Sequence, residues 1–128
     1  MVNDPLTGLP LYPGTDSGTP IKMPNTPVCK SKKEANFYKI FKRQTDDAVA
    51  WYSSHLSGFK KISGYDSQRA EIAFTNADRT ILVLVTGDQG AKGENTAAYS
   101  VSYERFQPGI SEKTVESFTT GKLVCAAN

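Results

Sequence analysis

His55 is the only histidine of the chain, and it follows Ser53 and Ser54 directly. A serine–histidine–acid arrangement needs a nucleophile, a base and an orienting carboxylate that meet in space. On a helix, adjacent serines point around the axis and not at the imidazole, and Asp47 lies two turns back. No catalytic residue is therefore assigned. A glycosidase needs two carboxyl groups about 5–10 Å apart. Among the 13 acids no spacing suggests such a pair. Asp46 and Asp47 suit a helix start, and Glu71 and Glu104 fall on the polar faces of strands. Two cysteines and one histidine cannot complete a four-ligand zinc site, so no metal is assigned. No cofactor is indicated either.

Residues 87–95 carry glycine at every third position: Gly87, Gly90 and Gly93. A phosphate loop requires Lys followed by Ser or Thr at the start of a helix. Here Lys92 precedes Gly93, and a strand follows. The spacing of a calcium-binding EF-hand is absent. The segment reads as a hairpin loop, with Asp88, Lys92, Glu94 and Asn95 as candidate recognition residues. Residues 30–43 hold Lys30, Lys32, Lys33, Lys39, Lys42 and Arg43 against the single acid Glu34, with Phe37, Tyr38 and Phe41 interleaved. Basic grooves with aromatic platforms bind single-stranded nucleic acid or other anionic polymers. The same pattern also serves a strand that buries its aromatic residues and guards its edge with lysines. Trp51, His55, Tyr65 and Tyr103 could line a pocket between a helix and a sheet, or Trp51 could simply complete the core.

These groups must be positioned by about 100 residues. The chain has 128 residues, is 38% hydrophobic and 22% charged, and carries a net charge of +2. That balance gives no general case for nucleic acid, and no run approaches the ~18 apolar residues of a transmembrane helix. Pro5, Pro10, Pro13, Pro20, Pro24 and Pro27 crowd the first 28 residues. Proline lacks the N–H that helices and inner strands use. Residues 1–28 thus read as an extended or irregular arm, whose Leu6, Leu9, Leu11 and Tyr12 could dock into a groove. The arm is also a candidate for docking on a second copy of the chain. Cys29 and Cys125 bracket the remainder. Their separation of 96 residues fits neither a CxxC motif nor a zinc knuckle. A disulfide across the borders of a 29–125 domain, with a short tail at 126–128, is the expectation. It implies a periplasmic or extracellular location.

The expected elements run β-α-β-β-β-β-α. Residues 35–43 are aromatic and β-branched, as in a strand. Thr45 is the expected cap of a helix with Val49, Tyr52, Leu56 and Phe59 on one face, closed by Gly58 in a left-handed conformation. Strands follow at 59–65, 69–75 and 81–85, the last apolar on both faces, and then at 99–106. Ser111 is the expected cap of a short helix with Ile110 and Val115 as its staple, ending at Gly121. The fold class is α+β, an antiparallel sheet of about five strands with the main helix on one face.

The segment Phe37 to Val85, with Asp47-Ala48-Val49-Ala50-Trp51-Tyr52, Leu56 and Gly58-Phe59, resembles one βαβββ module of the vicinal oxygen chelate superfamily. That family includes glyoxalases and binding proteins, with metal ligands (His and Glu) on strands. No strand here holds a histidine, so no ligand carries over. The wider layout is similar to small exported bacterial proteins of unknown function, through the Pro/Gly-rich start, Val28-Cys29-Lys30-Ser31, Trp51-Tyr52 and Pro108-Gly109. The leading functional expectation is an exported binding or self-assembly protein. The alternatives are a small-molecule or lyase/isomerase-like domain, and a binder of single-stranded nucleic acid or anionic polymers.

Overall fold

The computed structural model describes residues 2–15, 20–65, 69–88, 99–120 and 122–127. Six strands form one antiparallel sheet: β1 (Ile21–Val28), β2 (Ser31–Ile40), β3 (Lys60–Tyr65), β4 (Arg69–Thr75), β5 (Ile81–Asp88) and β6 (Tyr99–Gln107). Their order across the sheet is β1-β2-β6-β5-β4-β3. Helix α1 (Thr45–His55) follows β2, and helix α2 (Glu112–Phe118) follows β6. The α+β class and antiparallel sheet are as expected.

The sixth strand comes from within the proline-rich arm. β1 pairs with β2 through a two-residue turn at Cys29 and Lys30, from Val28–Ser31 to Ile21–Phe37. It lies at the sheet edge, and its register shifts between Met23 and Thr26, around Pro24. An edge and a bulge are the places where a strand tolerates proline, because a ladder hydrogen bond is not required there. The turn also draws β2 back to Ser31, so the strand begins earlier than the apolar run at 35 suggested.

Two helix boundaries differ from expectation. Thr45 is the first residue of α1, and Gln44 occupies the cap position without a side-chain capping bond. A 3-10 turn at Lys42–Gln44 has already bent the chain, with the Gln44 N–H bonded to the Phe41 carbonyl at 2.9 Å. Helix α2 ends at Phe118, not at Gly121, which lies outside the described residues. Thr119 and Thr120 return their hydroxyls to the carbonyls of Glu116 and Ser117 at 2.7 and 3.0 Å. Such back-bonding competes with continuation of the helix. The start of α2 is as expected: the Ser111 hydroxyl accepts from Thr114 N at 3.1 Å, and Ile110 and Val115 share one apolar cluster. Gly58 has φ +80°, the left-handed turn expected after α1.

Side chains alternate across the sheet, and each face has its own core. On the α1 face, the register aligns Asn36, Tyr103, Val83 and Phe74 in one row. Tyr38, Ile40, Val85 and Val101 join Ala48, Tyr52 and Leu56 of α1 in this core. On the other face Leu82, Phe106 and Ala73 pack with Ile110 and Val115, with Leu84 and Phe118 against them. β5 supplies both cores, as its unbroken apolar run requires.

Candidate functional site

The arm folds back on itself before it reaches β1. Asp4 N–H bonds to the Leu9 carbonyl at 2.7 Å, Leu11 N–H to the Val2 carbonyl at 2.8 Å, and Asn3 and Pro10 form a bridge. Gly8 supplies the positive φ of the bend, +75°. This hook places Leu11 and Tyr12 in the α1-face core, both 5% exposed, with Leu9 packed against it. Of the residues expected to dock in a groove, Leu9, Leu11 and Tyr12 pack within their own chain, whereas Leu6 is not part of that cluster.

Asp4 is the centre of the attachment, and it is completely buried. One carboxylate oxygen accepts from Thr7 N at 2.8 Å and from the Thr7 hydroxyl at 2.7 Å. The other accepts from Asn36 Nδ2 at 2.9 Å and from the Tyr38 hydroxyl at 2.7 Å. A carboxylate out of water is tolerated only when it is paired or hydrogen-bonded in this way. Further along, Tyr103 donates to the Pro10 carbonyl at 2.8 Å, and its oxygen lies 2.5 Å from that of Tyr52. Tyr12 donates to Asp47 at the start of α1, at 2.5 Å. Thr15 closes the hook by bonding back to the Tyr12 carbonyl through N–H and hydroxyl. Gly14 sits so close that an added Cβ would lie 2.4 Å from the Tyr12 ring.

The hook and its seat hold four tyrosines whose ionisation is suppressed. Burial, then the bond to Asp47, pushes Tyr12 up to about 12. Tyr38, Tyr52 and Tyr103 are raised further, each chiefly by burial. All four hydroxyls stay protonated at physiological pH and act as donors. The arrangement holds a carboxylate and a carbonyl. It presents no activated nucleophile.

Of the expected pocket residues, Tyr103 is buried in this seat and Trp51 flanks it, edge-on to Tyr12 with centroids 5.9 Å apart. His55 stacks on the outer side of Trp51 at 4.1 Å, and its Nδ1 lies 2.8 Å from the Trp51 carbonyl. It is exposed. The side chain of Tyr65 lies outside the described residues. Leu11 and Tyr12 pack in the core that α1 shares with the sheet.

The basic segment is dispersed by strand alternation. Lys32 and Lys33 point to opposite faces of β2. Lys33 lies 3.9 Å from the buried Glu104, and the Arg43 guanidinium lies over the Phe41 ring at 5.3 Å. Lys30 stands at the β1–β2 turn and Lys39 near the far end of β2, both exposed. The side chain of Lys42 is not among those described. Of the candidate recognition loop, Asp88 ends β5 in its backbone, and Lys92, Glu94 and Asn95 lie outside the described residues.

Glu71 and Glu104 correct another expectation. Both sit on the face away from α1, yet both are buried, each 3% exposed. The alternation was right, but that face is covered too. By strand geometry their backbones are about 16 Å apart, two strands over and four residues along. Among the described residues no group of three His, Cys, Asp or Glu could hold a metal ion.

Cys29 and Cys125 are bonded, with their Cα atoms 5.5 Å apart. Both residues are exposed. Beside them lies a cavity of about 420 Å3, walled by the Cys29–Ser31 turn, the Pro108–Ser111 loop, Thr114 and residues 125–127. Among the described residues no helix is long and apolar enough to cross a membrane. No protein-family model, curated protein or solved structure matches the chain.

The sequence assigns no role to Asp4 or Asn36 and places Tyr38 only among interleaved aromatics and Tyr52 only on a helix face, although Asp4-Pro5 with Gly8 is a turn signal. A turn signal does not say that the turn will be buried.

Proposed function

We propose that the chain is a small exported binding and assembly protein whose docking element is the N-terminal hook. The observation that supports this reading is the complete burial of Asp4 among donors from both hook and sheet. A segment held by a matched polar seat is an exchangeable element. The same contacts serve within one chain or between two, so a neighbour's hook meets identical partners. The Cys29–Cys125 bridge supports a periplasmic or extracellular setting, where such bonds persist.

The other two readings have less support. A small-molecule pocket between helix and sheet meets the core in which Leu11 and Tyr12 pack. The vicinal-oxygen-chelate likeness meets an interruption, since β6 lies between β2 and β5. An anionic-polymer site needs its cations on one face, and Lys32 and Lys33 lie on two.

Light scattering over a hundredfold range of concentration tests the proposal, together with mass spectrometry of mixed light and heavy chains. Oligomers should grow with concentration, mixed species should form, and deletion of residues 1–12 should abolish both. A full chain that stays monomeric throughout sinks the reading.

A further inference from the structure

The C-terminal segment is held differently from everything else in the fold. Residues 122–127 form no helix or strand. Besides the disulfide, Val124 N–H bonds to the Ser117 hydroxyl at 3.0 Å, and Ala126 N–H to the Thr114 hydroxyl at 3.2 Å. Leu123 and Val124 are each 49% exposed. Among the described residues, none beyond Phe118 belongs to either apolar cluster. The tail thus lies on the domain without contributing to its cores, and one covalent bond is its principal anchor.

That bond is reachable. Cys29 and Cys125 are both exposed, and the cavity of about 420 Å3 beside them is lined by both cysteines. Its volume lies in the range of small-ligand sites, about 300–1,000 Å3. Thiol–disulfide exchange proceeds by attack of a thiolate on a bridge sulfur, and access to that sulfur is one condition of its rate.

We propose that Cys29–Cys125 is a thiol-exchange site: a small thiol entering this cavity opens the bridge and frees residues 122–127 while the sheet stays folded. The thiolate attacks one bridge sulfur and forms a new S–S bond to it. The Cys29–Cys125 bond breaks, and its electron pair leaves on the other sulfur, which takes up the proton the entering thiol gave up. One thiol is consumed, one mixed disulfide and one cysteine thiol are produced, and no oxidant is needed. Departure of the tail then uncovers the hydroxyls of Thr114 and Ser117, now only 1% and 5% exposed.

The test uses the unaltered full chain in native buffer with millimolar reduced glutathione. Intact-mass measurement after an acid quench should find the one-glutathione adduct or, once a second glutathione has displaced it as oxidised glutathione, the dithiol about two daltons heavier than the bridged chain. Trypsin cleavage after the exposed Lys122 should accelerate at least tenfold, while Trp51 fluorescence and the near-ultraviolet tyrosine signal stay unchanged. Two results overturn the proposal. In one, neither adduct nor dithiol forms until denaturant is added, so the bridge is closed to thiols in the folded protein. In the other, formation of either coincides with loss of the Trp51 and tyrosine signals, so the bridge is a staple for the whole fold.

Discussion

Residues 2–12 and residues 122–127 lie outside the sheet, yet the first are secured by a buried carboxylate, several tyrosine hydroxyls and two core side chains. The second are secured by one disulfide and two single hydrogen bonds. The difference concerns where a loss is felt. In the hook the loss of Asp4 strands the buried Asn36 and Tyr38 on the sheet, so damage spreads into the core. In the tail a missing group returns its partner to water. A proline-rich start and an irregular end look alike in sequence, but one is part of the fold and the other rests on it.

The largest test of this contrast is Asp4→Ala. It leaves Asn36 Nδ2 and the Tyr38 hydroxyl buried without their acceptor. A buried donor left without its acceptor typically costs about 1–3 kcal/mol. Urea unfolding should record a loss of that size, a large share of the ~5–15 kcal/mol typical of a domain. A loss under about 1 kcal/mol would mean that the hook is no more integral than the tail.

Alkaline pH attacks the same region without mutation. Tyr12 titrates at about 12 in the fold and near 10 when unfolded. Between those values the unfolded chain has released a proton that the folded chain keeps. Stability is therefore complete below about pH 10 and falls as pH rises through 12, by on the order of 2 kcal/mol from Tyr12 alone. Tyr38, Tyr52 and Tyr103, raised in the same direction, steepen the fall. Tyr12→Phe should flatten it measurably in pH-dependent melts. An unchanged slope would show that the hook has left its seat before the tyrosines ionise.

Glu104 probes the opposite face of the sheet. Its carboxyl is raised, first by burial, with Lys33 and the Ser102 hydroxyl acting the other way. One of its oxygens accepts from Ser102 at 2.7 Å, and the other has no hydrogen-bond partner. A raised acid in the fold holds its proton after the unfolded chain has lost it. Its contribution thus declines as pH rises from the ordinary glutamate value, about 4.3, through the folded one. Glu104→Gln should remove that decline and leave stability at pH 7 equal or higher by about 1 kcal/mol. Melting curves at pH 4 and 7 decide it, since a larger loss at pH 7 would make Glu104 an essential partner of Lys33.

Much of this architecture was legible before any coordinates. Tyr52 and Leu56 face inward because their spacing marks one side of a helix, and β5 is apolar on both faces because both are covered. The cysteines at the two borders did meet. What could not be read is whether a polar face becomes buried. Glu104 alternates correctly with Tyr103, but alternation gives a side, not what lies over it. Asp4 shows the same gap in the candidate site. Its turn is encoded locally by Pro5 and Gly8, whereas its burial depends on Asn36 and Tyr38, more than 30 residues away. Long-range polar complementarity has no period to detect.

The smallest expected effect completes the comparison. Ser117→Ala removes the acceptor of Val124 N–H in the tail, as Asp4→Ala removes an acceptor in the hook. Val124 is half exposed, so its N–H finds water when the hydroxyl is gone. The other bond of Ser117, to the Thr114 carbonyl at 2.6 Å, lies within α2, and alanine favours helices slightly more than serine. The disulfide keeps the tail in place whatever happens at Ser117. The net change in stability should stay under about 1 kcal/mol, the ordinary worth of one such bond. Amide exchange should still register the loss, with faster exchange at Val124 and unaltered protection in β5 and β6. If protection fell in those strands as well, the tail would be coupled to the core as the hook is. The two ends of the chain would then differ only in the chemistry of their anchors.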